Sequence, residues 1–461
     1  NFSNYLKFGL EYREHLLNYK DVNVRPESNF QSIDLIYDNP IIQNPTEPEN
    51  STIYASSYQF KPVEFSLYLQ DKIELDEIIL NVGMRYDYFH SNGKILSDPS
   101  DPSIYNPIKI ENRFNDYNLN GIKDVGEDDV TIDQRLSYWY KKANGKSMLS
   151  PRFGASFPFS DKGVIHFSYG HFIQIPRFNL LYMNSDFDLG QGTGNVGVVG
   201  NANLNPEKTI SYEIGLQQLL SERSRIDATL YIRDIRDLTG TRSEEISIFG
   251  GVSSYNKLVN SDFAFIRGVV FSLTHQPNKT LSFTLDYTFQ IAEGTASDPY
   301  QSQQAISNGQ LPEVHFIPLN WDQRQTLNSA LSYSKDIYGI SLITKLGSGL
   351  PYTPESSEDI TSLIQNSETK PITFNADLRA YLYHKYNDKK IKVFLKIFNI
   401  FDNLNHYGVY SDTGFADRTR YLNQAKSQNT DEYINSVEEW FRNETFYSSP
   451  RRIEIGVNFE I

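Results

Sequence analysis

Hydrophobic and polar residues alternate along most of the chain with a period of two. From Val63 to Leu75 one side holds Val63, Phe65, Leu67, Leu69, Ile73 and Leu75, and the other Glu64, Ser66, Tyr68, Gln70, Lys72 and Glu74. After Asp76-Glu77 the phase resumes, with Leu80, Val82, Met84 and Tyr86 set against Asn81, Gly83, Arg85 and Asp87. The pattern returns around Ile226–Ile232, Leu281–Ile291 and Ile453–Ile461. Such alternation predicts strands with one apolar face, and a tilted strand needs about ten residues to cross a bilayer.

Two kinds of connection separate these segments. Short polar turns fall near Asp76, Ser160-Asp161-Lys162, Ser221-Glu222, Gln276-Pro277-Asn278, Lys335-Asp336 and Asn387-Asp388. Long irregular stretches cover 19–55, 92–146, 175–205, 236–261, 294–320, 349–371 and 403–450. The two kinds alternate strictly, as in outer-membrane barrels, where short turns face the periplasm and long loops face outside. Six turns and seven loops predict about fourteen strands. In the last long loop, Ile434, Val437 and Phe441 follow Thr430-Asp431 at helical spacing, which predicts a short amphipathic helix.

Composition supports a wall that is wet on one side. Only 39% of the 461 residues are hydrophobic, yet there are 31 Tyr and 29 Phe, and mean hydropathy is −0.49. A lipid-facing outer row and an aqueous inner row halve the apolar content, while Tyr and Phe suit membrane interfaces. No run of about 18 apolar residues exists, so no membrane-crossing helix is expected. The net charge of −14 excludes a nucleic-acid partner. The absence of cysteine removes disulfides and thiolate chemistry. The eight histidines are scattered, and His166 and His171, five apart on one strand, belong on opposite faces. No catalytic triad or zinc spacing emerges, and the chain reads as a protein without enzymatic activity.

One motif points to a ligand. Asp116, Asn118, Asn120, Gly121, Ile122, Asp124 and Glu127 match the calcium-loop pattern D-x-[DN]-x-[DN]-G-x5-E. Calcium takes six to eight oxygens, here from the side chains of Asp116, Asn118, Asn120, Asp124 and a bidentate Glu127 plus the Ile122 carbonyl. The expected role is structural, ordering the loop at 92–146. Without clear flanking helices, residues 116–127 form an isolated calcium loop rather than an EF-hand pair.

Several segments resemble TonB-dependent receptors. They include Gln70-Asp71 followed by Gly83-Met-Arg85-Tyr86-Asp87, Ser150-Pro151-Arg152-Phe153-Gly154-Ala155, Asn203-Leu204-Asn205-Pro206-Glu207 leading to Tyr212-Glu213-Ile214-Gly215, Trp321-Asp322-Gln323-Arg324, and Asn399-Ile400-Phe401-Asp402-Asn403. The terminal Gly456, Phe459 and Ile461 fit an outer-membrane assembly signal, with Ile in place of the usual aromatic. The resemblance implies an antiparallel up-and-down transmembrane β-barrel in the bacterial outer membrane, of which residues 1–461 would be a partial barrel domain. About 22 strands are expected of such transporters, so the remaining strands and an N-terminal plug domain are expected upstream. It also implies TonB-driven uptake of a siderophore, glycan, peptide or similar solute, with the TonB complex contacted through the plug region and a surface lipoprotein as a further partner. A passive porin-like channel and a surface binding protein partnered with a lipoprotein are the alternatives. Inward charges such as Glu64, Arg85, Asp87, Glu213, Arg225, Asp227, Arg233 and Asp286 suit a wet lumen or a plug contact alike.

Overall fold

The computed structural model describes residues 2–22, 55–187, 194–241, 245–301, 304, 315–355, 365–386, 389–429 and 436–460. The Asn387-Asp388 turn, most of the stretch 19–55, and Thr430, Asp431, Ile434 and Ile461 lie outside them.

Among the described residues, fourteen long strands make one antiparallel meander. They are β1 (Phe2–Glu14), β2 (Val63–Leu75), β3 (Ile78–His90), β4 (Lys146–Ser160), β5 (Gly163–Gln174), β6 (Glu207–Ser221) and β7 (Ser224–Thr241). After them come β8 (Ser253–His275), β9 (Leu281–Gly294), β10 (Gln325–Ser334), β11 (Tyr338–Gly347), β12 (Thr373–Tyr386), β13 (Lys389–Phe398) and β14 (Arg452–Glu460). Each pairs with its successor, from β1–β2 through to β13–β14. Among the described residues no register joins β14 to β1, so the sheet is open. It is the wall of an up-and-down barrel.

The registers fix the two faces. Ser66 pairs with Asp87, Tyr68 with Arg85, and Arg85 with Ser150, so these polar side chains share the inner face. The other face is an apolar field: Phe167, Ile214, Leu230 and Val269 lie side by side across β5 to β8. Ile214 and Leu230 are 50% and 57% exposed, and on the last strand Ile455 and Phe459 reach 75% and 69%. An uncovered apolar field of this breadth is stable against lipid, not water.

On β7 the apolar face changes sides. Leu230 and Ile232 point outward, and Asp234 and Arg236 continue that row as an ion pair at 2.8 Å. On the inner side at that level, Ala264, Ile266, Ala292 and Leu319 are buried together, with Ile235 and Leu238 packed on them. The switch marks where the lipid-facing row ends.

Beyond that level the long loops fold into a body with its own core. Leu96, Ile104, Trp139, Phe187, Val199, Ile248 and Tyr255 form one buried cluster. Phe89, Leu180, Leu181, Tyr182, Leu204 and Leu258 form a second. Small pairings brace it: Leu17–Val22 with Ala55–Phe60, Lys94–Leu96 with Tyr140–Lys142, and a parallel run of Gly194–Val199 along β8. The stretch 236–261, expected as irregular loop, is instead largely sheet. β7 runs on to Thr241, Ile246–Ile248 pairs with β8, and β8 begins at Ser253. Register shifts between Ile235 and Thr239, with Asp237 at φ 59°, break the alternation that would have revealed it.

Among the described residues, four short α-helices sit in the loops: α1 (Ile132–Leu136), α2 (Phe178–Tyr182), α3 (Tyr421–Gln428) and α4 (Val437–Trp440). Where a helix was expected behind Thr430-Asp431, α4 covers only Val437–Trp440 and its N-cap is Ser436, with Phe441 just past its end. α3 was not foreseen.

Candidate functional site: the inner wall and the folded mouth

The inner wall is a lattice of short-range polar contacts. Arg85 Nε lies 2.8 Å from Asp87 Oδ1, and another guanidinium nitrogen donates to Ser66 Oγ at 2.7 Å. His15 Nε2 sits 2.6 Å from Glu64 Oε1. Arg225 pairs with Asp227 at 2.8 Å, Arg233 approaches Glu213 at 3.6 Å, and Ser272 donates to Asp286 at 2.6 Å. The inward charges are therefore mostly compensated within the wall. His166 faces the lumen opposite Gly215, and His171 faces outward beside Tyr169, whose hydroxyl is 2.7 Å from its ring.

Most motif residues serve as joints. Leu204 is buried in the mouth, and Asn205 exchanges hydrogen bonds with Asn260 of β8 at 2.8 and 3.0 Å. Asp322, 1% exposed, accepts from the Ala292 amide at 2.8 Å and from Arg324 Nε at 2.6 Å. Asn399 donates to the carbonyls of Asn403 and Ser449, tying the end of β13 to the chain that enters β14. Of the loop aromatics, Tyr182, Phe187 and Tyr255 are buried and pack the mouth, whereas Phe316 and Tyr407 remain exposed. Burial pushes the hydroxyls of Tyr140 and Tyr182 far above the usual tyrosine range.

The calcium-like loop is compact. Asp116 accepts from the amides of Asn120 and Gly121 at 3.1 and 2.8 Å. Glu127, 8% exposed, accepts from the amides of Tyr117 and Asp124 at 2.9 and 2.8 Å. The amide nitrogens of Asn118 and Asn120 each lie 2.7 Å from Asp124 Oδ2. Ile122 donates to Asn120 Oδ1 at 2.7 Å, and Gly121 adopts φ 76°, the left-handed turn the motif requires. All six expected positions therefore belong to one knot. Among the described residues, no three carboxylate, imidazole or thiol groups converge as a metal cluster. The side-chain amides of Asn118 and Asn120 both occupy Asp124, while Asp116 and Glu127 are engaged by backbone amides. The oxygen-rich donor set suits a hard cation such as calcium.

A meander with an apolar outer field, a polar inner wall and a folded mouth at its long-loop end defines a bacterial outer-membrane β-barrel protein. The family described as "TonB dependent receptor-like, beta-barrel" matches residues 1–400, and the chain belongs to that family. Its fold is similar to that of the ferric enterobactin receptor mutant from Pseudomonas aeruginosa in complex with enterobactin, with a TM-score of 0.55 and 15% identity over 99% of this chain and 51% of that one. The FrpB iron transporter from Neisseria meningitidis gives a TM-score of 0.54 at 13% identity, over 98% of this chain and 52% of that one. The outer membrane transporter YddB from Escherichia coli gives 0.55 at 10% identity, over 88% and 48%. The chain spans about half the length of these structures. No curated protein matches it significantly.

Proposed function

We propose that this chain forms wall and mouth of a transporter that takes up a scarce solute, such as a siderophore, glycan or peptide, by TonB-driven active transport. The observation that carries this reading is the pairing of a polar inner wall with a loop body that has its own buried core over the outer end. A passive pore needs a narrow loop, not a second folded layer. The TonB complex is the energy-coupling partner in this reading, and a surface lipoprotein resting on the loop body is a further one. The protein acts as a carrier without enzymatic chemistry. The test is uptake in cells that carry the complete gene, before and after collapse of the inner-membrane proton gradient. Uptake that stops with the gradient supports the reading, and uptake indifferent to it means a porin-like channel.

We also propose that Asp116, Asn118, Asn120, Asp124, Glu127 and the Ile122 carbonyl hold a structural calcium ion. Binding would turn the two asparagine amides so that their oxygens, not their nitrogens, face the centre.

A further inference from the structure

On the outer face of β6 and β7, lipid contact gives way to charge. The lipid-facing row of β6 runs Ile214, Tyr212, Ile210 and Lys208 toward the mouth, and that of β7 runs Leu230, Ile232, Asp234 and Arg236 beside it. Tyr212 lies across the ladder from Tyr169 of β5, with ring centroids 5.1 Å apart. Tyrosines on the lipid side mark the boundary between hydrocarbon and headgroups. Lys208 follows Tyr212 at a spacing of four residues, about 10 Å further out on a strand tilted by about 40°. That places its ammonium among the headgroups.

The charges here are not compensated as those of the inner wall are. Lys208 stands directly across the β6–β7 ladder from Arg236. Like charges so placed repel, and an anion between them would relieve the cost. The nearby acid, Asp234, is already held by Arg236, which reaches its two oxygens at 3.2 and 2.8 Å. Among the described residues, Lys208 makes no ion pair and no side-chain hydrogen bond. The Arg236 side chain remains 66% exposed. On β8, Arg267 faces the same way opposite Ile232, and it reaches Glu293 only at 3.5 Å. β6 and β7 are paired along both edges, and this face is turned away from the lumen, so nothing inside the barrel can neutralise it.

We propose that Lys208 and Arg236 bind the phosphate of a lipid in the outer leaflet. The Lys208 ammonium and the edge of Arg236 turned from Asp234 meet the phosphate, and Arg267 adds to the local field. Below them, Ile214 and the Tyr169–Tyr212 pair lie against the acyl chains. Each cation beside an anionic lipid surface strengthens binding roughly fivefold. A lipid held here braces the wall at the level where the sheet passes into the mouth. The site does not depend on which solute the barrel carries.

The experiment is native mass spectrometry of the complete receptor in detergent, titrated with diphosphorylated lipid A and, separately, with the same lipid stripped of its phosphates. Wild type is expected to hold the phosphorylated lipid and to bind the stripped one roughly tenfold or more weakly. Lys208→Gln should weaken binding of the phosphorylated lipid roughly fivefold, and Lys208→Gln combined with Arg236→Gln roughly twentyfold or more. Lys208→Arg, which keeps the charge, should bind as wild type does. Arg225→Gln, on the inner wall, should leave binding unchanged. Equal retention of the two lipids by wild type overturns the proposal, and that comparison needs no variant to fold. It is equally overturned if the double variant binds as wild type does, or if inorganic phosphate at the same concentration displaces the lipid, which would make the patch a site for the free ion.

Discussion

At the residue scale, the inner wall is tuned by glycines that face aromatic rings. Gly9 lies opposite Tyr68, Gly268 opposite Tyr231, Gly339 opposite Tyr381, and Gly456 opposite Phe394. In each pair the aromatic side chain occupies the space a Cβ would need, within 2.7 Å. The ring of one strand thus locks onto the bare backbone of the next and fixes register, in the manner of aromatic rescue of strand glycines. The pairs are not equivalent. At Gly268 a methyl group would also meet the Phe289 carbonyl at 2.6 Å, and backbone cannot swing aside as a side chain can. At Gly339 the three nearest atoms all belong to the Tyr381 side chain. Gly268→Ala should therefore cost about 1–3 kcal/mol, the usual penalty of overpacking, and Gly339→Ala distinctly less. Loss of heat-modifiable migration on gels should come at a lower temperature for the first variant. Equal melting of the two would mean the carbonyl contact does not matter. In the mouth, Lys109 and then Ser100 hold the Asp98 carboxyl below the usual carboxylate range. A depressed folded pKa gives stability that is present above the unfolded value of about 3.9 and lost as pH falls through the folded one. Both partners are over a third exposed, so the contribution is under about 1 kcal/mol. Protease sensitivity of the 92–146 loop should stay flat from pH 7 to about 4 and rise only below that, and Asp98→Asn should remove that acid-induced rise.

At the element scale, the 92–146 loop is the clearest test of what a local motif can do. It is folded by α1, whose Thr131 and Gln134 make a capping box, by buried Arg135 bonded to the carbonyls of Val130 and Ile104, and by the knot at 116–127. If calcium completes that knot, the metal should slow proteolysis near Asp124 and Glu127. Asp116→Ala and Glu127→Gln should abolish the protection while leaving the barrel's heat-modifiable migration intact. Equal calcium-dependent protection in wild type and Asp116→Ala would refute the ligand set. The strands themselves were legible in the sequence, down to their number and the position of every described short turn, because lipid on one side and water on the other enforce a period of two. The mouth was not. Its core joins Phe89, Tyr182, Leu204 and Leu258, residues far apart along the chain, and no local period records such a contact. α3 was missed because no apolar stripe or side-chain cap marks its residues. The inner wall was half legible: alternation placed Glu213 and Arg233 on the inward face, but their approach to each other is visible only once neighbouring strands are in register.

At the scale of the whole molecule, one sheet lives in three surroundings, and each part of its sequence answers to one of them. Lipid meets the row Phe167, Ile214, Leu230 and Val269, water meets the row of Ser168, Glu213 and Tyr231, and above Ile232 the apolar side turns inward to hold the mouth. Hydrophobicity therefore does not mark a core in the spanning part, while in the mouth it does. This division predicts opposite results for neighbouring residues. Leu230 and Thr229 are adjacent on β7 and point to opposite faces, and Leu230 is 57% exposed on the lipid side. An arginine at position 230 would be placed near the middle of the lipid-facing row, at a cost of about 2–4 kcal/mol. The same residue at 229 would enter the wet lumen, across the ladder from Gly215, where the guanidinium stays hydrated. Leu230→Arg should then sharply reduce the amount of folded protein in the outer membrane, and Thr229→Arg should leave it near wild type. Denaturant melting of both variants refolded into lipid vesicles measures the difference directly. A larger loss at 229 than at 230 would mean the faces are assigned the wrong way round, and with them the lumen and the mouth.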